Sequence, residues 1–307
     1  MNKQTLNIKE QWLSYSGAFL FFLIIIGLAN YFSDAEIILP EVAAMAVGLF
    51  AFREQSWMKQ PEKIFILPSM TAIMGFGINC LEIAFLLKLG IVLIIMLLLI
   101  FLLKYSLAPA LATGFLPIVT HAHSFSFIVS ILISTFLLML IVYLFKLNKG
   151  SNRKSSIDKS AMLFYFGIMF CWMLITYLFG YEGFAVIPPI AVVVYESLHM
   201  KMYTVKMAFK TTVLLFLSAW IGVFLFLNIE NWLLVGTLDF ACMFLLLKLF
   251  KMHIPAVYAF PFLAFILPKH IIGGLPLAGL CMSIFALGFI LLSRTYRMRM
   301  QLKTKVS

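Results

Sequence analysis

Few side chains in this sequence can do chemistry, and most of them stand alone in apolar surroundings. Asp239 occupies the middle of LVGTLDFACM, and Glu41 follows Pro40 at the head of another apolar run. A carboxylate at the centre of a bilayer costs roughly 2.5–3.5 kcal/mol on insertion scales, so something must offset it. Asp239 and Glu41 are therefore candidates for proton coupling, with counter-ion or substrate partner as further roles. The bland alternatives are a protonated Asp239 bonded to a neighbouring hydroxyl or carbonyl, and a Glu41 that merely suits a helix N-terminus. His121 and His123 form a His-Ala-His step, and His270 closes a similar stretch later. Two or three histidines could bind a metal or sense pH. No carboxylate or cysteine spacing completes a site and HExxH is absent, so no metal is expected. Glu196 and His199 stand beside Lys201, which reads as an interfacial ion pair. Cys80, Cys171, Cys242 and Cys281 form no CxxC pair and read as small buried side chains. Gly75-Phe76-Gly77 and the Ala43, Ala44, Ala46, Gly48 group offer close helix contact rather than a phosphate loop.

Prolines carry the stronger signal. KYSLAPALATGFLPIVTH (104–121) and KMHIPAVYAFPFLAFILPKH (251–270) are apolar yet contain Pro109, Pro117, Pro255, Pro261 and Pro268. Each proline inside a helix removes a backbone bond and costs about 3 kcal/mol in water. Freed backbone at membrane depth survives only against protein or a water-lined cavity. Paired interrupted segments are the best pointer to a transporter site. Pro109, Thr113, Pro255 and Tyr258 are accordingly the expected substrate-binding positions, with a proline-kinked helix satisfied by its neighbours as the alternative.

The elements that position these residues follow from composition. Of 307 residues, 64% are hydrophobic and 11% charged, against about 25% charged in a soluble domain. An all-α polytopic membrane protein is expected. A span needs about 20 apolar residues, and twelve segments emerge: 12–32, 36–52, 64–83, 86–103, 105–120, 124–145, 161–180, 184–200, 207–228, 231–250, 253–268 and 274–293. The first is read as an uncleaved helix, not a leader. With the N-terminus inside and every segment crossing, all 23 Lys and Arg except Lys88 and Lys269 fall on the cytoplasmic side. The net charge of +11 then reflects orientation, and nucleic-acid binding is unnecessary. A re-entrant 105–120 would send the positive KLNKGSNRKSSIDK stretch outside, so both proline-rich segments are expected to cross.

The polar stretch at 147–160 lies almost at the midpoint, and the segments around it repeat. LPEVAAMAVGLF (39–50) pairs with IPPIAVVVYESL (187–198), and the two proline-rich stretches pair with each other. The expected organisation is an N-terminal membrane repeat at 1–146, a basic linker at 147–160, a C-terminal repeat at 161–293 and a basic tail at 294–307. Six crossings per repeat give both halves the same orientation, a parallel arrangement.

At His253-Ile254-Pro255-Ala256-Val257-Tyr258-Ala259, and at Ala108-Pro109-Ala110-Leu111-Ala112-Thr113, the chain resembles HPP-type integral membrane proteins. Of the two prolines in their His-Pro-Pro-Ala stretch, one is missing here, at Ile254. The proline-led helix with its basic loop also resembles the membrane half of fusaric-acid-resistance and aromatic-acid exporters. The resemblance implies transport, and a small anion such as nitrite as substrate. The expected function is thus a permease of the cytoplasmic membrane with both termini inside, no cofactor, and a small molecule or ion, the lipid bilayer and a homo-oligomer among its partners. An intramembrane lipid-handling enzyme and a membrane scaffold are the alternatives.

Overall fold

The computed structural model describes residues 8–105, 107–148, 158–200 and 202–306, with side chains described as far as Thr295. Lys3, most of the basic linker, Lys201 and the side chains of the tail beyond Thr295 lie outside the described residues. The described residues are mostly helical, with no strand among them.

Seven helices are long and apolar enough to cross a membrane. They are α1 (Ile8–Phe32), α5 (Phe85–Leu103), α7 (Phe125–Leu144), α8 (Lys159–Leu178), α10 (Val205–Asn228), α11 (Trp232–Phe250) and the first 21 residues of α15 (Leu275–Val306). The 18-residue α4 (Glu62–Asn79) runs among them. Four of them begin at a side-chain cap that takes up an otherwise free N–H. Ser124, Asp158, Thr204 and Asn231 accept from the backbone of Ser126, Ser160, Met207 and Leu234, at 3.2, 2.9, 3.3 and 3.0 Å. Their outward faces remain apolar, as at Leu13, Leu102, Leu163 and Leu249, all at least 70% exposed. Such a surface suits lipid, not water.

The expectation of twelve full spanning helices is not met by length. In the segments 36–52, 105–120 and 184–200 the helices are α2 (Pro40–Phe50), α6 (Pro109–Val119) and α9 (Pro188–His199), of 11, 11 and 12 residues. Each starts on a proline, whose missing N–H is no loss at the first helical position. At about 1.5 Å per residue such a helix covers roughly 17 Å, little more than half of a ~30 Å hydrocarbon core. The 253–268 segment breaks at Pro261 into α12 (Ala256–Ala259) and α13 (Leu263–Ile266). Two short helices, α3 (Gln55–Met58) and α14 (Lys269–Ile272), and two 3₁₀ turns, Ala35–Ile37 and Glu182–Phe184, complete the order. The proline-led short helices are the core. Every residue of α2 and α6 is buried, while the long helices surround them.

Close packing depends on glycine at two places. A Cβ on Gly75 of α4 would lie 2.1 Å from the Gly114 carbonyl oxygen of α6, and one on Gly222 of α10 would lie 2.3 Å from Cα of Pro261. At one end of the bundle, Lys63 Nζ donates to the Leu103 carbonyl and Lys210 Nζ to that of Phe250, both at 2.8 Å. Lys104 and Lys251, the residues after α5 and α11, both turn the chain in the left-handed conformation, φ 48° and 53°.

Candidate functional site

The first turns of α2, α6 and α9 meet α12 around a small void. Glu41 and Ala44 face it from α2, Pro109 and Ala112 from α6, Pro189 and Val192 from α9, and Ala256 and Ala259 from α12. The small residues let four backbones approach. Trp57 of α3 closes one side, its indole lying where Gly48 has no side chain. The Trp57 carbonyl in turn accepts from the Tyr105 hydroxyl. The void measures about 10 Å³, room for about one water molecule.

Glu41 is the polar group of this junction. It is 1% exposed, and neither carboxylate oxygen has a hydrogen-bond partner. A buried polar atom without a partner is rare in a finished core and calls for a reason. The N-termini of α2, α6 and α9 supply partial positive charge close by.

The structure separates the other expected site residues. Pro109 borders the void with Glu41. Thr113 is buried four residues further along α6, but its hydroxyl faces α4, bonding with Thr71 at 2.8 Å and donating to the Ala110 carbonyl at 3.0 Å. Pro255 caps α12 and is buried beside the void without lining it. Tyr258 is fully buried with its hydroxyl unpartnered, and its ring packs 4.7 Å from Phe240. Asp239 lies next to Phe240 on α11, fully buried, and both its oxygens also lack partners. The hydroxyl or carbonyl partner that would make Asp239 a routine buried acid is therefore missing. Gly236, one turn earlier, packs on Ile26 of α1.

His121, His123 and His270 lie near one another at the opposite end from Lys63. Glu36 accepts from the backbone N–H groups of His123 and Ser124, at 3.0 and 2.9 Å, which anchors the chain entering α7. His121 sits in the turn after α6 with φ 53°. Partial burial, then His123, Lys88 and His270, hold its imidazole below the ordinary value of 6.5. Among the described residues no group of three or more His, Cys, Asp or Glu could hold a metal ion. His199 Nδ1 meets the Tyr195 carbonyl at 2.8 Å, and its Nε2 has no partner.

Trp57, Ala44, Ala112, Pro189, Val192, Ala256 and Ala259 were not singled out as site residues from the sequence. Trp57 falls in a charged loop that reads as solvated, and alanines at a helix crossing carry no chemical signature. The Pro-Ala steps at Pro109-Ala110 and Pro255-Ala256 did mark two of the four converging helices. No protein-family model, curated protein or solved structure matches this chain.

Proposed function

We propose that the chain is a transporter of the cytoplasmic membrane that moves a small anion together with a proton through the junction of α2, α6, α9 and α12. The observation that carries this reading is Glu41, buried and unpartnered on a void bordered by the first turns of three proline-led helices. Half-length helices whose N-termini meet within a membrane protein suit an anionic group. With no substrate anion bound, the Glu41 carboxylate would take that place. Protonation of Glu41 would leave the helix N-termini free to take a substrate anion, and release of the anion would return the carboxylate. Proton and anion would thus move together. The void is too small for a substrate beyond one water, so this form corresponds to a closed state. Anionic character also follows from the resemblance to HPP-type proteins, and substrate identity rests on nothing else.

Two parallel halves form part of the same proposal. Lys63, Gly75, Leu103, Lys104 and Gly114 each lie 147 positions before Lys210, Gly222, Phe250, Lys251 and Pro261, and the members of each pair do the same job. The two 3₁₀ turns, and α5 with α11, keep the same offset. The site would then lie on the pseudo-axis, with α2 and α9 exchanging places and α6 with α12–α13. The linker and tail belong at the cytoplasmic surface with both termini. Catalysis receives no comparable support, because Glu41 and Asp239 stand on different helices and Asp239 does not border the void.

The test uses purified protein in liposomes carrying an internal pH dye. Small anions, nitrite first, are added outside under a proton gradient. Anion-dependent proton entry is expected, abolished in Glu41→Gln. Wild-type protein that is folded yet moves no proton with any small anion would overturn the proposal. So would an unchanged rate in Glu41→Gln.

A further inference from the structure

A second cavity, sharing no lining residue with the first, lies between α1 and the C-terminal end of α11. It measures about 380 Å³, within the range of small-molecule sites. Trp12 and Tyr15 of α1 and Phe244 of α11 make its aromatic wall, with ring centroids 5.6 and 4.9 Å apart across the two contacts. Lys248, Lys251 and His253 supply its polar side. No carboxylate lines it, and Glu10, which precedes Gln11 on α1, does not border it.

The two lysines are not consumed by the fold. The carbonyls at the end of α11 are already served, since Met252 N–H donates to Leu247, Lys251 N–H to Lys248, and Lys210 Nζ to Phe250. Lys248 Nζ rests 5.8 Å above the Phe244 ring, and neither Lys248 nor Lys251 has a carboxylate partner among the described residues. On α11, Leu245 neighbours Lys248 one turn away and Leu249 neighbours Leu245, and the two are 61% and 75% exposed. The site therefore joins two uncompensated ammonium groups to an apolar surface that faces lipid.

We infer that this cavity binds the headgroup of an anionic phospholipid, with its acyl chains lying along Leu245 and Leu249. Basic pockets between membrane helices recognise phosphate headgroups in this way, and Trp12 suits the interfacial depth. A free phosphate would satisfy the lysines, but the continuous apolar flank favours the lipid. The inference depends on the membrane character of the chain and not on the transport proposal.

Full-length protein is placed in nanodiscs of phosphatidylcholine with one tenth phosphatidylglycerol by mole, and retained lipids are counted by native mass spectrometry after release. The wild type is expected to retain phosphatidylglycerol severalfold above its share. The Lys248→Gln/Lys251→Gln variant is expected to retain it at its share. Lys248→Arg/Lys251→Arg should keep the preference, which separates lost charge from lost folding. Lys269→Gln, at the opposite end, should also keep it. Equal retention in the wild type and the glutamine variant would overturn the inference. Displacement of the lipid by glycerol phosphate at comparable concentration would assign the cavity to a soluble anion and overturn it as well.

Discussion

Single residues decide how closely the inner helices approach. Gly75 and Gly222 stand where an added Cβ meets backbone, which cannot step aside as a flexible side chain would. Gly75→Ala and Gly222→Ala should each cost about 1–3 kcal/mol as overpacking, read as a lower melting temperature in detergent. Gly77→Ala, with open space around its Cβ, should be neutral or slightly stabilising, because alanine favours the helix. Part of this was legible, since Gly75-Phe76-Gly77 reads as a small-residue contact. Which of the two glycines touches a neighbour was not, because it depends on the rotation of α4 against α6. Glu41 and Asp239 were legible as isolated acids in apolar sequence. That Glu41 and not Asp239 borders the void is a matter of helix packing that no local pattern encodes. His121 adds a pH prediction. Its lowered value means that the folded chain takes a proton less readily than the unfolded one. Stability from this group is complete above about pH 6.5 and is lost as pH falls from there toward the lowered folded value. His121→Asn tolerates the left-handed backbone and cannot charge. Its melting temperature should fall less than that of the wild type between pH 7 and pH 5.

Whole elements show where the helical pattern read true and where it failed. Long apolar runs such as 86–103 and 231–250 matched α5 and α11 within a residue or so, because a uniform run bounded by charge or turn residues leaves little choice. The proline-led segments did not match as full helices. Leu39 and Ile187 are extended, and helix begins only at Pro40 and Pro188. Pro261 divides the 253–268 stretch, whereas α6 continues through Pro117. Sequence alone gives both prolines the same cost, and only the surrounding contacts differ. The ends of α5 and α11 allow a sharper test of equivalence between elements. Lys63→Met and Lys210→Met each remove a charged donor from a backbone carbonyl, worth at most about 1.5–3 kcal/mol and less where water has access. The two losses in thermal stability should be similar. Lys63 should cost slightly more, since its Nζ also lies 5.0 Å above the Tyr105 ring. A large loss at one position and none at the other would separate the two halves energetically.

At the scale of the molecule, the question is whether a chain with half-length inner helices still alternates sides as the charges demand. Taken alone, the 11-residue α2 is too short to cross. Yet the path from Ser33 to Leu39 includes extended backbone, which rises about 3.3 Å per residue against 1.5 Å in a helix. Part of that path lies within the bundle, where Ser130 of α7 donates to the Ile37 carbonyl at 2.8 Å. The descent from α1 into α2 therefore covers more depth than its helix length suggests. Trp57 and α3 then carry the chain under α2 before α4 begins. If α2 completes a crossing, α4 ends outside, and Cys80 at its C-terminal cap, which is exposed, becomes accessible from the external medium. If α2 turns back, Cys80 lies inside with the basic groups. Intact cells treated with a membrane-impermeant maleimide should label Cys80, and Cys80→Ser should lose that label. In the Cys80→Ser background, Ser151→Cys places a thiol in the basic linker, three segments later, and should react only after permeabilisation. Labelling of both from outside would mean that α6 fails to cross, and labelling of the linker thiol alone that α2 fails to cross. The parallel arrangement of the halves would then have to be given up, because it requires an even number of crossings before the linker.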